Sequence, residues 1–377
     1  MKVIKLAVIG AGWIGTMHAR AMNNVRMCYG SDAVPELELI VDAFEDAAKK
    51  ACDTYSFNRY STNTDDAIND PAIDAVMITT PNQFHVELVQ KAAAAGKAIF
   101  CEKPLGMDGK DAKKALDAVK KYDTTSMVGF VYTHNPAVIE ARKIIESGQI
   151  GDIVAFQGRY DMEYSADADI PHRWRDYDAI SGALGDIGAH IIALQDYVTG
   201  SRITEVIGRG KTVYDKRPDP KNSGGFLPVT NDDIFNMMYN TDTGVMGMIT
   251  TSRVAKGEKV GIRFEVQGTK GYIRFDQERM NELQVYIDGD PETTGCRRIL
   301  MGPQHGQFGD VCTTQGLCAS WVDLMTIQDY KFLKAIADGT KVKPDIESGY
   351  DINILIDALL LSDKEHRWVK VSECELD

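Results

Sequence analysis

Leu6-Ala7-Val8-Ile9-Gly10-Ala11-Gly12-Trp13-Ile14-Gly15 is the stretch that decides the fold. An apolar strand core, Leu6 to Ile9, runs into a Gly-x-Gly-x-x-Gly turn, and the chain continues as helix over Met17 to Asn24. Glycines here permit a tight turn and close backbone approach, so that a pyrophosphate can sit on the helix N-terminus. The strand before the turn and the helix after it give this short pattern its meaning, and they point to dinucleotide binding through Gly10, Gly12, Trp13 and Ile14.

Moving outward, a second strand, Leu37 to Val41, ends on Asp42. A carboxylate there accepts hydrogen bonds from the adenosine ribose hydroxyls and repels a 2′-phosphate. Ala43 and Phe44 follow, with no Arg to receive that phosphate, which favours NAD over NADP. Asp42 lies 27 residues beyond Gly15, and the excess falls in Val25 to Pro35, which reads as an insertion before the strand. Helix over Ala43 to Ala51, strand over Ala75 to Thr79, helix over Phe84 to Ala95, strand over Ala98 to Cys101, helix over Gly109 to Tyr122 and strand over Met127 to Val131 complete the alternation. Strands alternating with helices at this spacing predict a doubly wound parallel sheet, and their continuous apolar character predicts cover on both faces.

Two strand ends are loaded with functional side chains: Thr79-Thr80-Pro81-Asn82-Gln83-Phe84-His85 and Cys101-Glu102-Lys103-Pro104. In open α/β sheets ligands gather outside the carboxyl ends of the strands, where both clusters fall. Lys103 precedes a proline, which holds it extended and aims it into a crevice.

After a helix from Pro136 to Ser147 the texture changes. A strand from Ile153 to Tyr160 leads into a polar, aromatic loop over Asp161 to Ser181, then a helix from about Leu184 to Val198. Strand-like runs follow at Val206–Val213, Ile234–Tyr239, Gly247–Ser252, Arg263–Gln267, Tyr272–Phe275 and Leu283–Ile287, the later ones joined by short Gly and Asp turns. Such runs predict an open, mainly antiparallel sheet in a second, α+β domain. Helices over Thr326–Ala337 and Ile346–Ser362 close the chain, and the expected division is 1–130 and 131–377. The loop from Gly302 to Leu317 is long enough to be functional.

Gly185-Asp186-Ile187-Gly188-Ala189-His190 opens the helix of the second domain, and the four-residue spacing puts Asp186 and His190 on one face. A carboxylate beside an imidazole orients and charges it, the arrangement of an acid–base pair. The preceding strand and loop supply Arg159, Tyr160, Tyr164, His172, Trp174 and Arg175, and Tyr132 and Asn135 follow the last parallel strand. Aromatic faces and forked donors suit the C–H surfaces and hydroxyls of a sugar ring.

The 377 residues suffice for about two domains, and 42 basic against 55 acidic side chains give a net charge of −13. That balance gives no general electrostatic reason to hold nucleic acid or an anionic membrane. No apolar run approaches the ~18 residues of a membrane span, and Met1 to Leu6 carries no signal-peptide pattern, so a cytoplasmic protein is expected. Seven scattered cysteines argue for a reducing compartment, and Cys312 and Cys318 with His305 nearby lack the paired spacing of a zinc site, so no metal is expected.

Taken together, GAGWIG, TPNQFH, CEKP and GDIGAH at these distances resemble the Gfo/Idh/MocA oxidoreductase family over essentially the whole chain. The stretches Ser181 to Asp186, Phe264 to Thr269 and Glu282 to Val285 are similar to its levoglucosan- and inositol-dehydrogenase-like members. The resemblance implies a Rossmann domain for NAD, a C-terminal domain with an open sheet, and homodimers or homotetramers. It implies that Lys103, Asp186 and His190 form the catalytic set. Thr80, Pro81, Asn82, His85, Glu102 and Lys103 would join Asp42 and the glycine loop around the cofactor. Oxidising a ring alcohol needs a hydride acceptor, a base and a donor to the developing alkoxide, and His190, oriented by Asp186, and Lys103 meet the last two needs. The expected substrate is a neutral cyclic polyol or pyranose, touched by Tyr132, Arg159, Tyr164, Trp174, Arg175, Asp186 and His190. Two alternatives remain at this level: net glycoside cleavage through transient oxidation, and a non-catalytic NAD-binding regulator.

Overall fold

The computed structural model describes residues 2–30 and 32–376. They form two units, one built from the chain up to His134 together with Gly302–Asn353, the other from Asn135–Met301 with Ile354–Glu375.

In the first unit β1 (Lys2–Ile9), α1 (Trp13–Tyr29), β2 (Ala33–Val41), α2 (Glu45–Tyr55), β3 (Arg59–Ser61), α3 (Asp65–Ile68), β4 (Ala75–Ile78), α4 (His85–Ala94), β5 (Ala98–Cys101), α5 (Gly109–Lys121) and β6 (Ser126–Val128) alternate along the chain. Among the described residues the strands pair in parallel in the order β3-β2-β1-β4-β5-β6. The order reverses between β1 and β4, the place where open parallel sheets bind their ligands. Leu6, Val8, Ile40, Ala75, Met77, Phe100 and Met127 are buried in the core beside Ala19, Met22 and Val25 of α1. The apparent insertion before Asp42 is absorbed by two elements longer than expected, α1 running to Tyr29 and β2 starting at Ala33. Pro35 sits inside β2, and is tolerated because β3 pairs only with Leu39–Val41 and leaves that stretch of edge unpaired.

The second unit holds α6 (Pro136–Glu146), β7 (Ile153–Asp161), a π-helical turn (Leu184–Gly188), α7 (Ala189–Thr199), β8 (Ile203–Lys211), the small ribbon β9 (Lys216–Pro218) and β10 (Phe226–Pro228), β11 (Ile234–Thr241), β12 (Met246–Ser252), β13 (Gly261–Gly268), β14 (Gly271–Asp276), β15 (Glu282–Ile287) and β16 (Arg297–Leu300). Its sheet runs β16-β15-β14-β13-β7-β12-β11-β8, with β17 (Val369–Lys370) added on β8. Every pairing is antiparallel except β7 with β12. Strand alternation sends Phe156, Gly158 and Tyr160 to the face that carries α7, where a Cβ on Gly158 would meet Ile191. The odd-numbered Gln157 and Arg159 therefore point to the opposite, uncovered face.

The division differs from the expected 1–130 and 131–377. After β16 come α8 (Phe308–Val311), α9 (Trp321–Asp338) and α10 (Ile346–Glu365), and α9 packs back on the first unit, with Phe332 and Leu333 in its core and Phe332 edge-on to Phe100. The apolar face of α9 completes that core; the chain leaves the first unit again within α10.

Candidate active site

The first unit offers a cradle at the start of α1. Gly10 has φ +109°, and a Cβ there would lie 2.7 Å from the Thr79 carbonyl oxygen; one on Gly15 would collide with the Gly10 carbonyl. A Cβ on Gly12, by contrast, would meet nothing within 4 Å, and no side chain caps the α1 N-terminus. Uncapped amides at a helix start, facing open space, fit a pyrophosphate. The Thr79 hydroxyl is shared between the carbonyls of Ile9 (3.0 Å) and Gly10 (2.9 Å), pinning the turn to β4, a role the sequence did not disclose. Asp42 accepts from the Ala11 amide through Oδ2 (2.8 Å) and from the Phe44 amide through Oδ1 (2.9 Å), so the carboxylate stands directly beside the glycine turn. Trp13, 68 % exposed, stacks on Trp321 with ring centroids 5.3 Å apart. Ile14 follows it in the first turn of α1, half-buried.

Outside β4 and β5 the two loaded loops are tied together. His85 is wholly buried, with Nδ1 2.9 Å from the Pro104 carbonyl and Nε2 2.8 Å from the Thr80 carbonyl. Burial pushes it below the ordinary histidine pKa. A neutral imidazole carries one N–H, so His85 donates to one of these two carbonyls and ties its loop to that partner. The Thr80 hydroxyl is buried with no hydrogen-bond partner among the described residues. Pro81 leads into a short turn whose first residue, Asn82, is buried. Glu102 is largely buried and accepts from the Lys103 amide through Oε2 (3.1 Å). Tyr132 is also buried in this unit.

In the second unit Asp186 sits on the π-helical turn and His190, 8 % exposed, on the first turn of α7. The expected helix start is thus a π-turn, a distortion found frequently at functional sites. The Tyr164 hydroxyl donates to Asp186 Oδ2 (2.8 Å), and Arg175 Nε lies 3.4 Å from the same oxygen. Burial and the Asp186 charge hold the Tyr164 phenol well above its usual pKa, so it stays a donor. The Arg175 guanidinium lies 4.1 Å over the Trp174 ring, and Tyr160 faces His190 at 6.1 Å between ring centroids. Tyr164, Trp174, Arg175, Asp186 and His190 thus belong to one neighbourhood.

Arg159 does not belong to it. It points to the uncovered face of the sheet, paired with Glu258 (3.3 Å) and Asp161 (3.7 Å), and lines a shallow cavity of about 410 Å³ there with Arg263, Glu265 and Arg274. The alternation Phe156, Gly158, Tyr160 carried the signal that would have excluded it. Asn135 is likewise structural, capping α6 at the Ala137 amide (2.8 Å) and donating to Gln277 (3.2 Å). His172 stacks on Tyr177 and reaches the Pro228 carbonyl (3.1 Å).

A buried ionic hub anchors the Asp161–Ser181 loop. Arg253 pairs with Asp233 (2.7 Å) and donates to Asn231 Oδ1 (2.8 Å) and the Arg175 carbonyl (2.9 Å). Arg217 holds the Ser165 and Asp167 carbonyls at 2.8 Å, and Asp176 lies 3.6 Å from both guanidinium groups. Charges buried this completely are stable only when paired, so the hub holds the loop in one arrangement.

Residues 4–130 match the oxidoreductase family with an NAD-binding Rossmann fold, GFO/IDH/MocA, and residues 138–274 match the GFO/IDH/MocA C-terminal domain. The levoglucosan dehydrogenase of Pseudarthrobacter phenanthrenivorans is 34% identical over 99% of this chain and 99% of its own. The inositol 2-dehydrogenase of Rhizobium meliloti is 27% identical over 98% of this chain and 99% of its own. A solved levoglucosan dehydrogenase, in complex with NADH and levoglucosan, superposes with a TM-score of 0.94 at 35% identity, covering 98% of this chain and 100% of that one. The two matched ranges contain the glycine cradle, the Glu102-Lys103-Pro104 loop and the Asp186–His190 turn, and the chain belongs to the Gfo/Idh/MocA family and is an NAD-dependent oxidoreductase.

Proposed function

We propose that this enzyme oxidises a ring secondary alcohol of a neutral cyclic polyol or pyranose, of levoglucosan or inositol type, to the ketone. The observation that carries this is the Asp186 carboxylate, held by the Tyr164 hydroxyl and Arg175 on the turn that leads to His190, with the Trp174–Arg175 stack beside it. That set offers an acceptor for ring hydroxyls, forked donors and an apolar face, which suits a sugar ring. The whole-length likeness to levoglucosan dehydrogenase supports the same substrate class.

Bound NAD supplies the hydride acceptor. His190 takes the proton of the reacting hydroxyl, and Asp186 orients the imidazole and stabilises its charge as the proton arrives. Lys103 donates a hydrogen bond to the same oxygen as alkoxide character develops, so that loss of hydride from carbon leaves a neutral ketone. Thr80, Pro81, Asn82, Glu102 and Lys103 border the cofactor on the β4 and β5 side, with Asp42 holding the ribose.

Purified enzyme with NAD and a panel of levoglucosan, inositol isomers, glucose and glucosides tests this by absorbance of the reduced cofactor. Stoichiometric NADH with one neutral ring alcohol is expected. Sugar released from a glucoside without NADH accumulation would instead indicate cleavage by transient oxidation. We also infer a homo-oligomer, on the exposure of Met238, Met246 and Met248 along β11 and β12, to be checked by sedimentation.

A further inference from the structure

A histidine on the first helix, distant in sequence from every proposed catalytic residue, is built into the support of the Lys103 loop. His18 is wholly buried, and each ring nitrogen meets a carboxylate. Nδ1 lies 3.0 and 3.1 Å from the two oxygens of Asp329 on α9, and Nε2 lies 3.1 Å from Glu102 Oε1. Carboxylates accept and do not donate when ionised, so a ring between two of them keeps both N–H protons and is an imidazolium. Among the described residues Asp329 and Glu102 are the charged groups that act most on the ring, and Phe100 of β5 closes it edge-on at 4.7 Å. The second oxygen of Glu102 accepts from the Lys103 amide. Gly129 leaves room for this carboxylate, since a Cβ there would lie 2.7 Å from its Cδ, and His85 and Cys101 are titratable groups that also feel its charge.

We propose that His18 and Asp329 are positioning residues for alcohol oxidation: the buried Asp329–His18 pair clamps Glu102, and Glu102 fixes the backbone from which Lys103 reaches the reacting oxygen. This rests on the dehydrogenase reading above. Burial opposes the charge on His18, but Asp329 and then Glu102 outweigh it and hold the ring up to about 9. The clamp is therefore closed at neutral pH and opens on the alkaline side. Asp329→Asn keeps shape and an acceptor but removes one of the two charges that hold the proton, so its clamp opens at lower pH.

The test compares Asp329→Asn with wild type through the ratio of their kcat values at saturating NAD between pH 6.5 and 9.5, which cancels the titration of His190. The expected ratio is within threefold of one at pH 6.5 and falls at least tenfold by pH 9, with KM for NAD moving less than threefold. His18→Gln, which keeps a donor toward Glu102 but no charge, is expected to give a ratio that is flat from pH 6.5 to 8 and rises only near pH 9, where wild type loses its own clamp. An Asp329→Asn ratio flat with pH, including a uniform loss through misfolding, overturns the proposal. Two readouts do not need turnover: the His18 ring in 13C-histidine-labelled protein, and hydrogen exchange over residues 101–106. A ring titrating above about 8 and exchange at least fivefold faster in Asp329→Asn at pH 8.5 are expected; a ring titrating below 7, or unchanged exchange, overturns it. Wild type that oxidises no ring alcohol but passes both of these readouts would sink the dehydrogenase reading and leave the clamp standing.

Discussion

Asp232 accepts a hydrogen bond from the Leu184 amide through Oδ2 at 2.8 Å, across 48 residues of sequence. Leu184 opens the π-turn that carries Asp186, so this carboxylate caps the element on which the proposed acid–base pair is built. Burial pushes the Asp232 carboxyl up to about 6, against the pull of the Leu184 amide. A carboxyl whose folded pKa lies above its unfolded one contributes stability in full below the unfolded value, and loses that contribution as pH rises through about 6. Keeping a carboxyl so displaced from its ordinary range ionised at neutral pH costs about 3 kcal/mol. Asp232→Asn keeps an acceptor and cannot ionise. Its melting temperature relative to wild type should therefore rise by several degrees between pH 5 and pH 7.5, and a difference flat across that range contradicts the assignment. Asp232→Ala, which leaves the amide uncapped, should lower kcat roughly tenfold through a misplaced Asp186.

Lys103 is proposed to act on the reacting oxygen and not on cofactor affinity. Lys103→Ala should lower kcat about 10²–10⁴-fold, the usual range for a positioned proton or hydrogen-bond donor. NADH binding, followed by fluorescence titration, should change less than threefold. Turnover within fivefold of wild type would remove Lys103 from the mechanism.

Tyr164 and Arg175 meet at Asp186 Oδ2, whereas Arg159 points from the other face of the sheet. Tyr164→Phe and Arg175→Ala should each raise KM for the ring alcohol and lower kcat, together about 10–100-fold in kcat/KM, or ~1.4–3 kcal/mol. Arg159→Ala should leave both constants within twofold. Kinetics in which Arg159→Ala is as damaging as Arg175→Ala would place the substrate differently.

The parallel sheet and its loaded strand ends were legible because they are local: glycine spacing, continuous apolar strands and the residues that follow them. The placing of Asp186 and His190 at the start of one helical element is local in the same way. What escaped depends on partners far along the chain. The return of α9 to the first unit is set by Phe332 and Leu333 fitting against Phe100, a match no local periodicity encodes. The amide that opens the π-turn is met by Asp232, 48 residues on, and the His18 ring meets Glu102 and Asp329, 84 and 311 residues away. Arg159 is a different case, since the alternation of its own strand already placed it on the wrong face.

Asp42 offers the sharpest test of cofactor choice, because its two oxygens already bind the Ala11 and Phe44 amides and still have lone pairs for ribose hydroxyls. Replacing it removes the acceptor of both amides and the proposed ribose acceptor at once, away from the proposed hydride-transfer end of the site. These contacts are the same in ground and transition states, so their loss should appear in binding rather than in chemistry. Asp42→Ala should raise KM for NAD roughly 10–100-fold, with kcat at saturating NAD within about threefold. Repulsion of a 2′-phosphate also disappears, so the preference for NAD over NADP should narrow by about tenfold, or ~1.4 kcal/mol, without reversing, since neither Ala43 nor Phe44 supplies a cation for that phosphate. A kcat that falls in step with kcat/KM would show instead that Asp42 governs the geometry of the whole turn.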